Sequence, residues 1–360
     1  MKKLLVSLLV VSLLAVIVEA MPLFAKEKNP RVVYVGSAYG GGYGKPFSAG
    51  TIGVIHVKGL LEEEFKKDGI KIEWYFFKGA GPATNEAFAN NSIDFAYQGD
   101  LPSIIGRAGG LKTKLIAAGS IRNNVYIGVP NDSPITSIKE LKGKKVGLFK
   151  GTNAQLTFNR ILEANGFTEK DLKLYNLNQP DAGAALASKD IDAGFYWLNL
   201  LNLRTLGIVK IIYSTKEAPD NWKNFGGLLV TEKFANEYPD IVKRVVKVYV
   251  KAAQWASEEK NRDELFKIWA KSGYPFDTLK EDNEGSPLKL KNAPLLDDFY
   301  INHYKEGVIF SKERQLIRNT FDVDKWIDKS YLEEALKELG LENYWRQFDA
   351  QGKEGKNEQE

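Results

Sequence analysis

The chain has 360 residues, no cysteine and a formal net charge of +4. The lack of cysteine excludes disulfides, thiolate metal sites and a lipid-modified cysteine. The small net charge, with no concentrated basic patch, gives no indication of a nucleic-acid partner. The length is sufficient for a buried core and suggests two lobes.

The first residues have the pattern of a secretory signal peptide. Two lysines precede an apolar run over residues 4–18, and small residues follow at Ala20 and Ala25. The run is short for a membrane-spanning helix, which needs about 20 apolar residues. We therefore predict a signal peptide over residues 1–25, cut after Ala20 or Ala25, and export of the mature chain to the periplasm. An uncleaved anchor is the alternative.

After Arg31, short apolar runs alternate with helical patterns, which is typical of a mainly parallel sheet covered by helices. The predicted strands, in chain order, are residues 32–35, 71–77, 93–97, 115–118, 126–129, 145–149, 172–177, 193–196, 210–213 and 228–230. The predicted helices are residues 54–67, 82–90, 102–108, 154–165, 181–188, 198–206, 241–256, 263–272, 295–306, 324–329 and 331–340.

These elements predict an α/β protein of two lobes, each a mixed, mainly parallel sheet flanked by helices. We expect lobe 1 to comprise residues 30–120 and 226–345, with the C-terminal helices covering it, and lobe 2 to comprise residues 121–225. Residues 346–360 are mostly polar and charged, and we predict that they form a disordered tail.

Three glycine-containing turns, each between a predicted strand and a predicted helix, suggest a ligand cleft. They lie at residues 79–82, 98–101 and 151–153. Ligands of open α/β sheets bind at the carboxyl ends of the strands, where the first amides of a helix lack partners and can receive an anion. Trp197 also follows a strand, and it either walls the apolar part of a ligand or packs in the core.

Polar side chains near these turns are candidate ligand donors. Tyr39 and Gln98 would donate from lobe 1, and Thr152 and Asn153 from lobe 2. Helix capping is an alternative role for Thr152 and for Asp100, since both are good N-cap residues. An acidic Asp100 would repel an anion, so we expect it to cap a helix or to meet a cationic end of the ligand.

Nucleotide-binding and catalytic motifs are missing from the sequence. The loop after the first strand has Pro46 where a phosphate loop needs Ser or Thr, and Thr84 stands where a dinucleotide motif needs Gly or Ala. The two histidines, His56 and His303, are far apart, and we find neither a Gly-x-Ser-x-Gly elbow nor metal-ligand spacing. We predict no catalytic residue, no cofactor and no metal.

Six short sequence motifs occur along the chain. None of them is specific alone, but their order is informative. They cover residues 81–82, 93–102, 137–147, 150–152, 191–197 and 234–240. Through this ordered set the chain resembles the substrate-binding proteins of ABC importers for aliphatic sulfonates, taurine and nitrate, from about residue 31 to about residue 344.

The resemblance implies a type II periplasmic-binding-protein fold that closes around a small oxyanion-bearing solute, most simply a sulfonate, and delivers it to an ABC permease and its ATPase. Proteins of this kind usually work as monomers, and closure would be a hinge motion near residues 119–122 and 224–226. Carried over by position, the ligand contacts fall on Ala38, Tyr39, Gly81, Pro82, Gln98, Gly99, Asp100, Thr152, Asn153 and Trp197.

The sequence departs from the family pattern in two places. The first loop is unusually rich in glycine, and Leu198 and Asn199 follow Trp197 where many relatives carry an acid and a proline. The missing acid argues against an ammonium-bearing ligand such as taurine, and Asn199 would favour a neutral or anionic group as a further ligand contact.

An enzyme or a sensor on the same fold is the alternative function. The lack of cysteine and the two distant histidines disfavour a thiamine-pyrimidine synthase, and a signal peptide disfavours a cytoplasmic step towards menaquinone. A sensor would use the same cleft as a transport component, so the sequence leaves these two open.

Overall fold

The computed structural model describes residues 29–38 and 47–355. In these ranges ten strands form two five-stranded sheets, and all ten predicted strands are present. The predicted signal peptide and Tyr39 lie outside the described residues. No helix in the described ranges is long and apolar enough to cross a bilayer.

The first sheet has a single antiparallel strand. Its strands are β1 (Val32–Ala38), β2 (Lys71–Phe77), β3 (Phe95–Gly99), β4 (Thr113–Asn123) and β10 (Asn224–Thr231). Their spatial order is β2–β1–β3–β10–β4. β1 pairs in parallel with β2 and β3, whereas β10 runs antiparallel between β3 and β4. β10 is buried along its whole length, which accounts for its continuous apolar run.

The second sheet repeats this arrangement. Its strands are β5 (Tyr126–Pro130), β6 (Lys145–Leu148), β7 (Lys173–Asn176), β8 (Ala193–Tyr196) and β9 (Val209–Ser214). Their spatial order is β7–β6–β8–β5–β9, and only β5 is antiparallel to its neighbours. The predicted mixed, mainly parallel sheets are therefore confirmed.

Helices flank both sheets. The helices between the strands of the first sheet are α1 (Gly50–Lys58), α2 (Leu60–Phe65), α3 (Ala80–Ala89) and α4 (Asp100–Ala108). The helices between the strands of the second sheet are α5 (Asn153–Ala164), α6 (Gln179–Ala187) and α7 (Asn199–Thr205). The predicted helix over residues 54–67 is divided at Gly59, whose φ of 62° ends α1. Glycine tolerates this left-handed conformation without steric cost.

The C-terminal helices pack on the first sheet's lobe. They are α8 (Glu232–Glu237), α9 (Pro239–Ser257), α10 (Arg262–Trp269), α11 (Phe276–Asp282), α12 (Leu288–Lys291), α13 (Asp298–Glu313), α14 (Val323–Trp326) and α15 (Ser330–Leu339). α9 contacts α1, α12 and α15, and α13 contacts α4. The apolar face of α9 predicted from the sequence, which includes Ile241, Val245 and Tyr249, is buried.

Two segments carry the chain between the sheets, from Asn123 to Tyr126 and from Ser214 to Asn224. β4 is longer than the predicted strand, and it contains two residues at positive φ, Ser120 at 46° and Arg122 at 59°. This conformation is energetically unfavourable for non-glycine residues, and such backbone strain clusters at functional or hinge positions. The hinge predicted near residues 119–122 and 224–226 and the lobe boundaries stay predictions.

Residues near the chain end contact lobe 1. The amide of Phe348 donates to the Asp297 carboxylate at 3.0 Å, and its carbonyl accepts from the amide of Phe299. The rings of Phe299 and Phe348 lie 4.7 and 4.8 Å from the guanidinium carbon of Arg122. Phe348 thus anchors an otherwise polar segment, and the disordered tail over residues 346–360 stays a prediction. The last five residues lie outside the described ranges.

Candidate ligand-binding cleft

A cavity of about 210 Å³ lies between the two lobes, and four parts of the chain line it. Lobe 1 contributes Ala38, Ser48, Ala49, Gly50, Ala80, Gly81, Tyr97, Gly99 and Pro102. Lobe 2 contributes Phe149, Thr152, Asn153, Gln179, Trp197 and Leu198. The crossover strands and their linkers contribute Ser120, Asn123, Asn124 and Phe225, and the C-terminal segment contributes Trp269, Tyr274, Leu279, Asp282, Asn283, Lys291 and Asn292.

The structure brings about half of the sequence-predicted contacts to this cavity. Those that line it are Ala38, Gly81, Gly99, Thr152, Asn153 and Trp197. Those that do not are Pro82, Gln98, Asp100 and Asn199. Tyr39 lies outside the described residues.

Gln98 faces away from the cavity because side chains alternate along a strand. Its neighbours in β3, Tyr97 and Gly99, line the cavity, so Gln98 points to the opposite face. There it is 1% exposed, and its Nε2 donates to Asn85 Oδ1 at 3.1 Å. Gln98 is therefore not among the lining residues, and Tyr97 is a lining residue that the sequence analysis missed.

Asp100 neither caps a helix nor faces the cavity. Gly99 is the N-cap of α4, and Asp100 is its first residue. Its Oδ1 accepts from the amide of Leu101 at 2.6 Å, and its Oδ2 lies 2.7 Å from Nε2 of His303. Burial lowers the pKa of His303, which the hydrogen bond to Asp100 opposes. The Asp100 carboxylate thus has its hydrogen-bond partners inside lobe 1.

Asn199 and Pro82 also lie off the cavity wall. Asn199 is the first residue of α7 and is 5% exposed, while its neighbour Leu198 takes the lining position. Pro82 lies instead at the contact between lobes, where a Cβ placed on Gly151 would lie 2.9 Å from Pro82 Cγ.

The start of α5 gives the cavity its positive helix end. Thr152 is the N-cap of α5, but its side chain does not cap the helix. Its Oγ1 donates to the Phe149 carbonyl at 2.7 Å, so the hydroxyl hydrogen is already used. The first amides of a helix have no intrahelical partner, and the lining residues Thr152 and Asn153 place this end at the cavity. An anion would therefore meet backbone amides rather than the Thr152 hydroxyl.

Trp197 takes the role of an apolar wall while its polar atom is bonded elsewhere. It is partly buried and lines the cavity. Its indole Nε1 donates to Asn224 Oδ1 at 2.7 Å. Asn224 in turn donates through Nδ2 to the Asn153 carbonyl at 3.1 Å and to Thr157 Oγ1 at 2.7 Å. The ring is therefore fixed against the start of α5.

The lobes touch at the glycine turns. A Cβ placed on Gly99 would lie 2.9 Å from Cβ and Cγ of Asn153 in the other lobe. Across the neighbouring turn, Gly151 has a φ of 75° and approaches Pro82 as closely. Because real Cβ atoms do not approach each other this closely, side chains here would separate the lobes. The described conformation is thus closed at this edge of the cavity.

A polar wall from the C-terminal segment was not predicted from the sequence. The phenol of Tyr126 donates to Asp282 Oδ1 at 2.6 Å, and Asn124 Nδ2 donates to the Asp282 carbonyl at 2.9 Å. Lys291 Nζ donates to Asn283 Oδ1 at 2.8 Å. Burial and the nearby Asp282 charge raise the pKa of Tyr126, which keeps this phenol a donor.

Comparison with known proteins agrees with this geometry. The protein family described as NMT1/THI5 like matches residues 64–262. The chain is 28% identical over 288 residues to a Bacillus subtilis (strain 168) protein provisionally named an aliphatic sulfonates-binding protein, which covers 78% of this chain and 83% of that protein. The predicted resemblance is therefore confirmed.

Solved structures match over most of the chain. The periplasmic sulfonate-binding protein SsuA from Methylobacillus flagellatus KT is 34% identical, with a TM-score of 0.77 over 88% of this chain and 97% of that one. The desulfurization enzyme DSZB is 16% identical, with a TM-score of 0.65 over 86% of this chain and 100% of that one, and so shares the fold alone. The predicted type II binding-protein fold is confirmed.

Proposed function

The chain belongs to the NMT1/THI5-like family, and on that premise we propose that it is the solute-binding component of an ABC importer. It captures a small sulfonate-like anion between its two lobes and delivers it to a permease driven by an ATPase. The observation that carries this proposal is the cavity between the lobes, which combines the start of α5 with the ring of Trp197. Such a lining accommodates a solute that has a charged head group and a short apolar part.

Backbone amides account for most of the expected affinity. A hydrogen bond to a charged group contributes about 1.5–3 kcal/mol, whereas a helix dipole adds about 0.3–1 kcal/mol. We propose that the sulfonate oxygens accept from amides at Thr152 and Asn153, with Gly81 and Gly99 closing over the head from lobe 1. Trp197 and Phe149 then cover the carbon chain.

The proposal also covers the cellular location of the protein, its oligomeric state and the absence of catalysis. The predicted signal peptide and the periplasmic relatives support a periplasmic location, and we propose that the protein works there as a monomer. Neither histidine is among the described residues that line the cavity, and His303 is buried in lobe 1 against Asp100. Since the chain also has no cysteine, the described lining offers neither a cysteine nucleophile nor a histidine base to activate its serine and threonine hydroxyls. We propose binding without chemistry.

Titration calorimetry of the mature protein tests this function. The panel comprises ethanesulfonate, 1-propanesulfonate, taurine, nitrate and propionate, the last as a carboxylate of similar length. We expect one site per chain, with sulfonates bound more tightly than propionate. Each compound is also incubated with the protein and followed by mass spectrometry. Absence of binding together with turnover of any compound would reject the proposal, as would a co-crystal with the solute outside the cleft.

A further inference from the structure

Two charged side chains, Asp282 and Lys291, occur among the described residues that line the cavity. Both come from the C-terminal segment and not from the helix starts that would hold the sulfonate. We propose that Lys291 binds a second acidic group of the solute, so that the preferred solute is a short sulfocarboxylate or another dianion rather than a plain alkanesulfonate. This inference rests on the proposed function and specifies the chemistry of its solute.

Lys291 is a buried cation with too few partners. Lys291 is only 5% exposed, and its Nζ donates to Asn283 Oδ1. An ammonium group carries three N–H donors, and Asn283 is the one hydrogen-bond acceptor of Nζ in the described part of the chain. Burying a charge without a counter-charge is unfavourable. An acidic group in the cavity would supply both the missing acceptors and the missing charge.

Asp282 does not fill that role. No ion pair joins it to Lys291 among those of residues 29–38 and 47–355. Its carboxylate instead accepts from the Tyr126 phenol at 2.6 Å and from Asn124 Nδ2 at 3.3 Å, and Asn283 Nδ2 lies 3.5 Å from its second oxygen. Asp282 therefore already has several donors, whereas Lys291 has no ion-pair partner among the described residues and interacts with Asp282 only beyond ion-pair distance.

The charged groups around Lys291 act on its pKa. Burial lowers the pKa of Lys291, the Asp282 charge opposes this, and the like charges of Lys223, Lys216 and Arg262 lower the pKa further. Lys223 and Arg262 have ion-pair partners of their own, Asp220 and Glu259, whereas no ion pair of the described residues involves Lys291. An anionic group is therefore favoured at Lys291 over an ammonium group.

The neutral lining residues of the same wall are also polar. Asn124, Asn283, Asn292, Gln179 and Tyr274 line the cavity, and Tyr274 bonds to Gln179 through its hydroxyl. The plain alkyl end of an alkanesulfonate would bring only methyl groups to these side chains, which is unfavourable where polar atoms lose water. The Nδ2 groups of these asparagines already donate within the protein, so among the asparagines and Lys291 the donors left for a carboxylate are the remaining N–H groups of Lys291.

The test compares 3-sulfopropionate with 1-propanesulfonate, which differ in the second acidic group, and includes 3-aminopropanesulfonate as the ammonium counterpart. Affinities are measured by calorimetry for wild type, Lys291→Met and Asp282→Asn. We expect wild type to prefer 3-sulfopropionate over 1-propanesulfonate by about tenfold or more. In Lys291→Met that preference falls to about threefold or less, because the loss of affinity falls mainly on 3-sulfopropionate.

Equal affinities in wild type, or a preference that persists in Lys291→Met, would overturn the inference. So would a preference for 3-aminopropanesulfonate that Asp282→Asn abolishes, because the charged end would then bind at Asp282. Circular dichroism and thermal unfolding verify the fold of each variant, and Lys291→Gln replaces Lys291→Met if the latter does not fold. If none of the sulfonates binds, the proposed function fails, whereas binding without preference contradicts the role of Lys291 alone.

Discussion

Addition of one methyl group at Gly99 should weaken solute binding without weakening the fold. Gly99 has φ −71° and ψ 169°, which alanine adopts without strain. The new Cβ would lie 2.9 Å from Cβ and Cγ of Asn153 across the cleft. The backbone of Asn153 is fixed by Asn224, which donates to its carbonyl, so Asn153 cannot withdraw unless the start of α5 moves.

The expected magnitude follows from this contact. Overpacking a close-packed contact costs about 1–3 kcal/mol, and the cost arises only when the lobes meet. Since about 1.4 kcal/mol corresponds to a tenfold change in Kd, Gly99→Ala should raise the Kd for the best sulfonate by about 5- to 150-fold. Thermal unfolding of the ligand-free protein should change little if the free protein is open.

Calorimetry gives the Kd, and small-angle scattering with and without solute measures how far the lobes close. Gly183→Ala is the matched control, because it adds the same methyl group in lobe 2, 3.6 Å from Leu203 Cδ1 at an ordinary van der Waals distance. That variant should bind as wild type does. Wild-type affinity in Gly99→Ala, or a loss of ligand-free stability equal to the loss of affinity, would show that the contact does not belong to closure.

Three further predictions concern other parts of the chain. Thr152→Val removes the hydroxyl that donates to Phe149 and should destabilise the protein by about 0.5–1.5 kcal/mol with less than about threefold change in sulfonate Kd; a large Kd change at unchanged melting temperature would place the hydroxyl on the solute. Burial raises the pKa of Asp94 to about 6, so the folded chain binds this proton more tightly than the unfolded chain does. Wild type should therefore lose stability relative to Asp94→Asn as the pH rises from about 4 to about 7, and parallel melting curves at all pH values would contradict this. Removal of residues 346–360 should lower the melting temperature because Phe348 stacks on Arg122, whereas removal of residues 356–360 should not; equal melting temperatures for the two truncations would refute an anchored tail.

The fold was predictable because burial on both faces of a central strand requires an apolar run that the sequence displays directly. β10 and β8 are buried throughout, and both were found from such runs. Element ends were less predictable. The extension of β4 to Asn123 passes through Ser120 and Arg122, which both have positive φ. Serine and arginine rarely adopt this conformation, so the residue types do not predict it.

The site was half predictable for a similar reason. The glycine turns identify the helix starts, so the wall around Thr152 and Asn153 could be found. Whether Tyr97 or Gln98 faces the cavity depends on which face of β3 the cleft meets, and residue type does not reveal this. Lys291 lies in a segment so rich in charged and polar residues that it is typical of an exposed surface. Only the packing of α11 and α12 against the crossovers buries it.

Asn224 indicates how the cleft can close without losing the geometry of its binding wall. It is the first residue of β10, it is fully buried, and its amide joins Trp197, Asn153 and Thr157 through three hydrogen bonds. The ring that would cover the carbon chain and the helix start that would hold the anion are thus bonded to one side chain at the crossover. Because that side chain lies where the chain returns to the first sheet, rotation of lobe 2 about this point moves both groups together. Closure then brings a preformed wall against Gly99, so the ordering cost of assembling the wall need not be met when the solute arrives.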